Sequence, residues 1–263
     1  MPYKILIGDG IECTNKMKDS SVDCCIVSPP RYCTVDSVAE SSCGSVDAPK
    51  LYVERLVYMF RDVRRVLKDD GTLWVNMSDV YRDGCGSNEY NDTMASIYGV
   101  KTRDLIGIPW MLAFALRDDG WYLRQDIIWY NPSCADEPIY DRCTRSNEYI
   151  FLLTKNSQYY FNSEAIEEEA NYDGRKDTLC KGSAKYRDGE MLPIQKNGEF
   201  AGGKHERWRF KDGVPIRNKR DVWTVCGRIS SEDNIRVLPT DIIDTIMLGG
   251  CRDGGTVLCI GNK

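Results

Sequence analysis

An α/β fold with a mostly parallel central sheet is predicted by three features of this chain. The apolar run Cys24-Cys25-Ile26-Val27 stops at Ser28-Pro29-Pro30, and a second run, Thr72-Leu73-Trp74-Val75, stops in the same way at Asn76. An amphipathic stretch at 51–67 lies between them, long enough to carry the chain back across a sheet. Two buried strands joined by a helix form a parallel unit, and ligands of such sheets bind in the loops at the carboxyl ends of the strands. The third feature is a long basic segment without apolar period, which predicts an irregular lobe added to that core.

The elements follow in order. Residues 4–8 read as a strand ending at Asp9, 10–17 as a short helix and 23–27 as the next strand. Residues 33–49, rich in Ser, Cys, Asp and Gly, read as a loop of the kind that closes over sites. In 51–67, Tyr52, Leu56, Met59 or Phe60, Val63 and Leu67 recur near helical spacing, and Asp69-Asp70-Gly71 is the expected stop. Strand 72–77 precedes a polar loop at 81–100. The next helix, 102–116, is expected to begin at or just after Arg103 and to accommodate Pro109 by a kink or a late start. Residues 123–130 and 148–154 are strands flanking a loop with Pro132 and Pro138, and Tyr159-Tyr160-Phe161 is read as a hairpin return. A helix at 240–248 follows Pro239, and a strand at 256–260 comes last. Trp74 and Trp129 are read as core aromatics.

Composition narrows the class. At 263 residues and 42% hydrophobic, the chain can bury a substantial core. No run approaches a membrane span and no leader pattern precedes Lys4, so a cytoplasmic protein without a membrane partner is expected. The 12 cysteines are scattered, form no C-x-x-C pair and accompany a single histidine, His205, so free thiols and no metal site are predicted. The net charge of −5 is segregated: 171–228 carries +6 and the rest −11. With Tyr172, Tyr186, Phe200, Trp208 and Phe210 interleaved, the basic segment suits contact with a phosphate backbone.

Several stretches carry a family resemblance: Ser21-Val22-Asp23 leading into Ser28-Pro29-Pro30; Gly71-Thr72-Leu73-Trp74; Gly107-Ile108-Pro109-Trp110 through Gly120-Trp121-Tyr122; Asp141-Arg142 with Glu148-Tyr149-Ile150-Phe151; and Arg220-Asp221-Val222-Trp223. In this order they resemble the amino-group DNA methyltransferases, in the permuted beta group that places a Ser-Pro-Pro-Tyr segment near the N-terminus and a cofactor glycine loop near the C-terminus. The resemblance implies a circularly permuted, Rossmann-like methyltransferase fold. It also implies methylation of an exocyclic amine in double-stranded DNA by S-adenosylmethionine. Ser rather than Asp before Pro-Pro leans toward N4 of cytosine over N6 of adenine. The implied domains are a catalytic core at 1–168, a target-recognition lobe at 169–228 and a C-terminal part of the cofactor core at 229–263.

The chemistry accounts for the motif. An exocyclic amine delocalises its lone pair into the ring, so a site must hold that pair toward the methyl group. The Ser28 hydroxyl and the Pro29 carbonyl can accept the two amino hydrogens, and the prolines stiffen the cradle. A base inside a duplex must be flipped out and held by a stacking surface. The implied catalytic segment is therefore Ser28, Pro29, Pro30, Arg31 and Tyr32. Arg31 stands where the family has an aromatic, leaving either the Arg31 plane or Tyr32 as the platform.

Asp9, Asn76, Ser78 and Asp79 are implied cofactor contacts, Asp79 facing the methionine ammonium or capping the following turn. At the last strand Leu258, Cys259 and Gly261 correspond to the start of the glycine loop. There the family continues into a glycine-rich turn, a helix and a ribose-binding strand, whereas Cys259-Ile260-Gly261-Asn262-Lys263 is all that follows here. Weak S-adenosylmethionine binding is expected, completed by a second copy or another protein. Lys204, Arg207, Arg209, Lys211, Arg217, Lys219 and Arg220 are the expected DNA contacts. The alternative reading is a catalytically silent relative serving as a DNA-binding or regulatory subunit.

Overall fold

The computed structural model describes residues 4–6, 8, 10–32, 49–81, 100–101, 103–134, 140–170, 186–187, 190–191, 209–227 and 238–261. In chain order these form α1 (Gly10–Asn15), β1 (Val22–Val27), α2 (Pro49–Val66), β2 (Leu67–Met77), α3 (Ile108–Asp118), β3 (Tyr122–Tyr130), β4 (Asn147–Thr154), β5 (Glu168–Glu169), β6 (Tyr186–Arg187), β7 (Glu190–Met191), β8 (Arg209–Lys211), β9 (Val214–Arg217), β10 (Val222–Thr224), α4 (Thr240–Gly250) and β11 (Val257–Ile260). Two compact units result, Met1–Ala165 with Arg220–Lys263, and Ile166–Lys219.

The first unit is an α/β sandwich around a six-stranded sheet of order β10-β3-β4-β2-β1-β11. β1 runs parallel to both β2 and β11, and β10 parallel to β3, while β4 is antiparallel to both of its neighbours. Every residue of β1 is buried because helices cover both faces. Cys25 and Val27 join Leu73 and Val75 in the core formed with α2 and α3; Cys24 and Ile26 join Trp74, Ile127, Trp129 and Trp223 in the core formed with α4. α2 turns Tyr52, Val53, Leu56, Phe60, Val63 and Val66 inward. Each such side chain contributes about 1.5–3 kcal/mol when fully buried. Trp74 and Trp129 lie in the core, as expected. Gly250, ending α4, is required by close approach: a Cβ there would stand 2.7 Å from both Thr72 Oγ1 and Trp74 Nε1.

Several expected boundaries are corrected. Residues 4–6 form no strand, and Ile5 and Leu6 are exposed. The expected stop at Asp69-Asp70-Gly71 is instead the first part of β2: α2 passes directly into the strand, Leu67 pairs with Val22, and the register shifts before Cys24 pairs with Thr72. α3 takes the late start that was one of the two ways expected to accommodate Pro109: it begins at Ile108 and not near Arg103, because Pro109 belongs in a first turn and Gly107, at φ +83°, makes the entry. Tyr159-Tyr160-Phe161 does not hairpin; the Tyr160 N–H donates to the Asp70 carbonyl, and the Phe161 ring stacks on Trp74. The loops expected at 33–49 and 81–100 lie mostly outside the described residues.

The second unit contains a three-stranded antiparallel sheet, β5-β9-β8, and the pair β6-β7. It spans Ile166–Lys219 and so overlaps the stretch where the basic lobe was expected at 169–228, but Val222–Thr224, also in that stretch, is a strand of the main sheet. The reason is apolar: Trp223 is buried against Trp74 and Trp129 in the core.

At the amino end of β1 the buried Asp23 carboxylate accepts from Lys68 Nζ at 2.8 Å and from the Thr256 N–H at 2.9 Å, tying β1 to β2 and β11. Burial pushes this carboxyl upward, but these bonds and the Arg252 charge outweigh it, and its pKa lies below the ordinary 3.8. The folded state therefore gains stability from ionised Asp23 above the unfolded pKa and loses it as pH falls through the folded value. Asp23→Asn is expected to lower unfolding free energy by about 2 kcal/mol at pH 7. Urea midpoints of the two proteins should converge as the pH is lowered below 3.8.

Candidate active site

The carboxyl ends of β1 and β2 lie side by side because Val27 pairs with Val75 in parallel register. Ser28 and Asn76 are the next residues on each strand, so the point where both apolar runs stop becomes one polar corner. The Ser28 N–H donates to the Ile260 carbonyl at 2.9 Å, which holds the turn against β11. Ser28, Pro29 and Pro30 are half-buried. Tyr52 of α2 donates its hydroxyl hydrogen to the Pro30 carbonyl. The loop is thus anchored at both ends.

Asn76, expected among the cofactor contacts, is turned toward the catalytic segment. Its Oδ1 lies 3.5 Å from Ser28 Oγ, at the outer limit of hydrogen bonding, while its Nδ2 donates to Glu148 Oε2 at 3.1 Å and to the Tyr149 carbonyl at 3.3 Å. Long contacts of this kind commonly tighten when substrate binds. Neither Glu148 nor Tyr52 is among the expected site residues, although Glu148 opens one of the stretches that carry the resemblance and Tyr52 belongs to the expected helix. The available signal was a charged residue opening an otherwise apolar strand, Tyr149 to Leu153.

Arg31 and Tyr32 diverge. Tyr32 is buried and packs edge-on against Tyr52, with ring centroids 5.2 Å apart, so it is part of the core. Arg31 is exposed, and its Nε–H donates to Ser78 Oγ at 3.0 Å. Ser78, a second expected cofactor contact, thereby supports Arg31.

Asp79 acts as a cap. Its buried carboxylate accepts from the N–H groups of Val80, Gly107 and Ile108 at 2.9–3.1 Å, at the amino end of α3. Gly107, the N-cap residue, has no side chain to do this, and Asp79 supplies the acceptor from 28 residues away. Asp79 was expected to face a ligand or to cap the following turn; beyond the Val80 N–H, its contacts are with the amino end of α3. Trp110 in the first turn of α3 then packs edge-on against Tyr149 and Phe151, completing the wall beside Glu148.

Among the remaining expected cofactor residues, Leu258 pairs with Cys25 and Cys259 with Ile26 in β11. Gly261 follows as exposed backbone, and a Cβ placed there would meet nothing within 4 Å. Asp9 lies outside the described residues, as do Lys204 and Arg207. Of the expected DNA contacts, Arg209 lies in β8, Lys211 and Arg220 are exposed, Lys219 is half-buried, and Arg217 is ion-paired with Glu168 at 2.8 Å.

The family model described as DNA methylase, of the N6 and N4 type, matches residues 22–233. A type II methyltransferase of Serratia marcescens, M.SmaI, is 36% identical over 97% of this chain and 77% of its own length. This chain belongs to the N6/N4 DNA methylase family. M.XycI, a type II methyltransferase of Xanthomonas campestris pv. cyanopsidis, is 38% identical over 95% of this methylase and 73% of its own chain. In fold the methylase is similar to the cytosine-N4-specific PvuII DNA methyltransferase, with a TM-score of 0.57 at 13% identity over 97% of this chain and 79% of that one. No helix among the described residues is long and apolar enough to cross a membrane.

Because Asp79 satisfies the amino end of α3, Asp79→Ala in this methylase is expected to cost about 2 kcal/mol of stability, read by urea unfolding. S-adenosylmethionine affinity, measured by calorimetry under conditions where the variant is folded, should change by less than about twofold, or roughly 0.4 kcal/mol.

Proposed function

We propose that this DNA methylase transfers a methyl group from S-adenosylmethionine to the N4 amine of a cytosine flipped out of duplex DNA. The observation that carries the reading is the adjacency of Ser28 and Asn76 at the ends of β1 and β2. With its hydrogen directed to Asn76, the Ser28 hydroxyl offers its lone pairs to one amino hydrogen, and the Pro29 carbonyl is the acceptor proposed for the other.

S-adenosylmethionine, when bound, supplies an electrophilic methyl group on a sulfonium. The open backbone at Gly261, beside the Ile260 carbonyl that holds Ser28, suits close approach of its methionine part. Ser28 and Pro29 orient the amine so that its lone pair leaves the ring plane toward that methyl group. Positioning and fixed acceptors supply the rate enhancement. Arg31, steadied by Ser78, offers a flat cation on which the base can rest, a contact worth about 0.5–1 kcal/mol at an exposed site. Burial pushes the Cys24 thiol up to about 12 and Cys25 and Cys259 upward as well, so these sulfurs stay protonated. Cys24 and Cys25 of β1 and Cys259 of β11 are therefore not candidates for a thiolate nucleophile. Ser28 in place of an aspartate favours cytosine over adenine, and the order of the Ser28 segment before the strand that leads to Gly261 fits the permuted arrangement.

Ser28→Ala is expected to lower the single-turnover methylation rate about 100-fold while leaving the DNA dissociation constant within about twofold, since its bonds matter in the transition state. Tritiated S-adenosylmethionine with unmethylated, mixed-sequence duplex DNA is the assay. Methylation by the variant at the wild-type rate would sink the role given to Ser28, and inactive wild type would favour the silent, DNA-binding alternative.

The basic stretch 171–228 is proposed to hold the duplex. Neutralising Lys204, Arg207, Arg209 and Lys211 together should flatten the salt dependence of DNA binding by about 3–4 in slope. Arg217→Ala should chiefly weaken the β5–β9 pairing, because its charge is already matched by Glu168. An unchanged slope in the quadruple variant would place the footprint elsewhere.

A further inference from the structure

We propose that Glu148 is a positioning residue that sets the hydrogen-bond polarity of the active site by locking the side-chain amide of Asn76. The inference rests on the reading of Ser28 as acceptor for the target amine. An asparagine amide carries one acceptor oxygen and a two-donor nitrogen, and the two ends are nearly equal in shape. Only its partners decide which end faces which way. Here Nδ2 meets Glu148 Oε2 at 3.1 Å and the Tyr149 carbonyl at 3.3 Å, and both of those partners can only accept. The reversed amide would set its oxygen against two other oxygens in a half-buried corner and forfeit both bonds.

With the nitrogen held by β4, Oδ1 must face Ser28. That oxygen can only accept, so the Ser28 hydroxyl hydrogen is drawn toward Asn76. The lone pairs of Ser28 Oγ are then left to the pocket, where an amino group donates. A carbonyl-bearing base such as uracil or thymine would present an oxygen to that lone pair and be repelled. The relay from Glu148 through Asn76 to Ser28 thus selects amine over carbonyl before any chemistry occurs. It depends on the antiparallel placement of β4: Asn76 pairs with Ile150, and the start of β4 projects its first residues to the carboxyl end of β2.

Five variants, each checked for folding by circular dichroism and compared with Ser28→Ala and wild type, test the relay in the methyl-transfer assay with unmethylated, mixed-sequence duplex DNA. Glu148→Leu removes the acceptor and should lower the single-turnover rate roughly 10- to 100-fold, as active-site misplacement does, with DNA affinity within about twofold. Glu148→Gln keeps an acceptor oxygen and should retain the rate within about fivefold. In the Ser28→Ala background Glu148→Leu should have little further effect, because both substitutions break one chain. Should Glu148→Leu fail to fold, Asn76→Asp replaces it. That change sets two carboxylates against each other and should be slow, and adding Glu148→Gln should recover about tenfold, since donor and acceptor are exchanged while an oxygen still faces Ser28. A wild-type rate in Glu148→Leu, an equal loss in the Ser28→Ala background, or no recovery in the double exchange would overturn the relay. Wild type without methyl transfer would instead overturn the proposed function.

Discussion

The parallel register of β1 and β2 is the constraint on which the site depends. Because Val27 pairs with Val75, the next residues, Ser28 and Asn76, emerge together where helical cover gives way to solvent. The pairing of Val27 with Ile260 brings Gly261 to the same end. A slip of one residue in either register would reverse the faces of a fully buried strand, moving Cys24 and Ile26 into the wrong core. The packing of both cores therefore holds this polar corner in place.

Around that corner the supporting contacts come from the sheet and from the layer formed by α2 and α3. Tyr52 of α2 reaches the Pro30 carbonyl, Glu148 and Tyr149 of β4 hold Asn76, and Asp79 fixes the start of α3. At the opposite end of the sheet, Asp23 joins the three parallel strands through Lys68 and the Thr256 N–H, with Arg252 adding charge. One end is stapled by a buried carboxylate, which leaves the other end free to carry acceptors for a ligand.

Much of this was legible in the sequence. The apolar runs, their polar stops and the Tyr52-Leu56-Phe60-Val63 stripe mark β1, β2 and α2, since burial on one or both faces leaves a local pattern. What escaped depends on partners distant in sequence. Asp79 looks alike whether it binds a ligand or caps a helix 28 residues on, and nothing near Asn76 announces Glu148, 72 residues later. The strand at 67–71 was hidden by Asp69-Asp70-Gly71, whose turn-like composition is overridden by the pairing of Leu67 with Val22 and of Lys68 with Asp23. The start of α3 is set by Pro109 in its first turn and by the positive φ of Gly107, a backbone conformation that no local apolar pattern announces.

The most direct test of the account is the nucleoside composition of duplex DNA after reaction with the purified methylase and deuterated-methyl S-adenosylmethionine, read by mass spectrometry. The corner of acceptors proposed around Ser28 predicts the label on an exocyclic nitrogen, with N4-methylcytosine as the product. Label in 5-methylcytosine, or DNA left without label, would contradict the account; N6-methyladenine would keep the amine chemistry and overturn the choice of base.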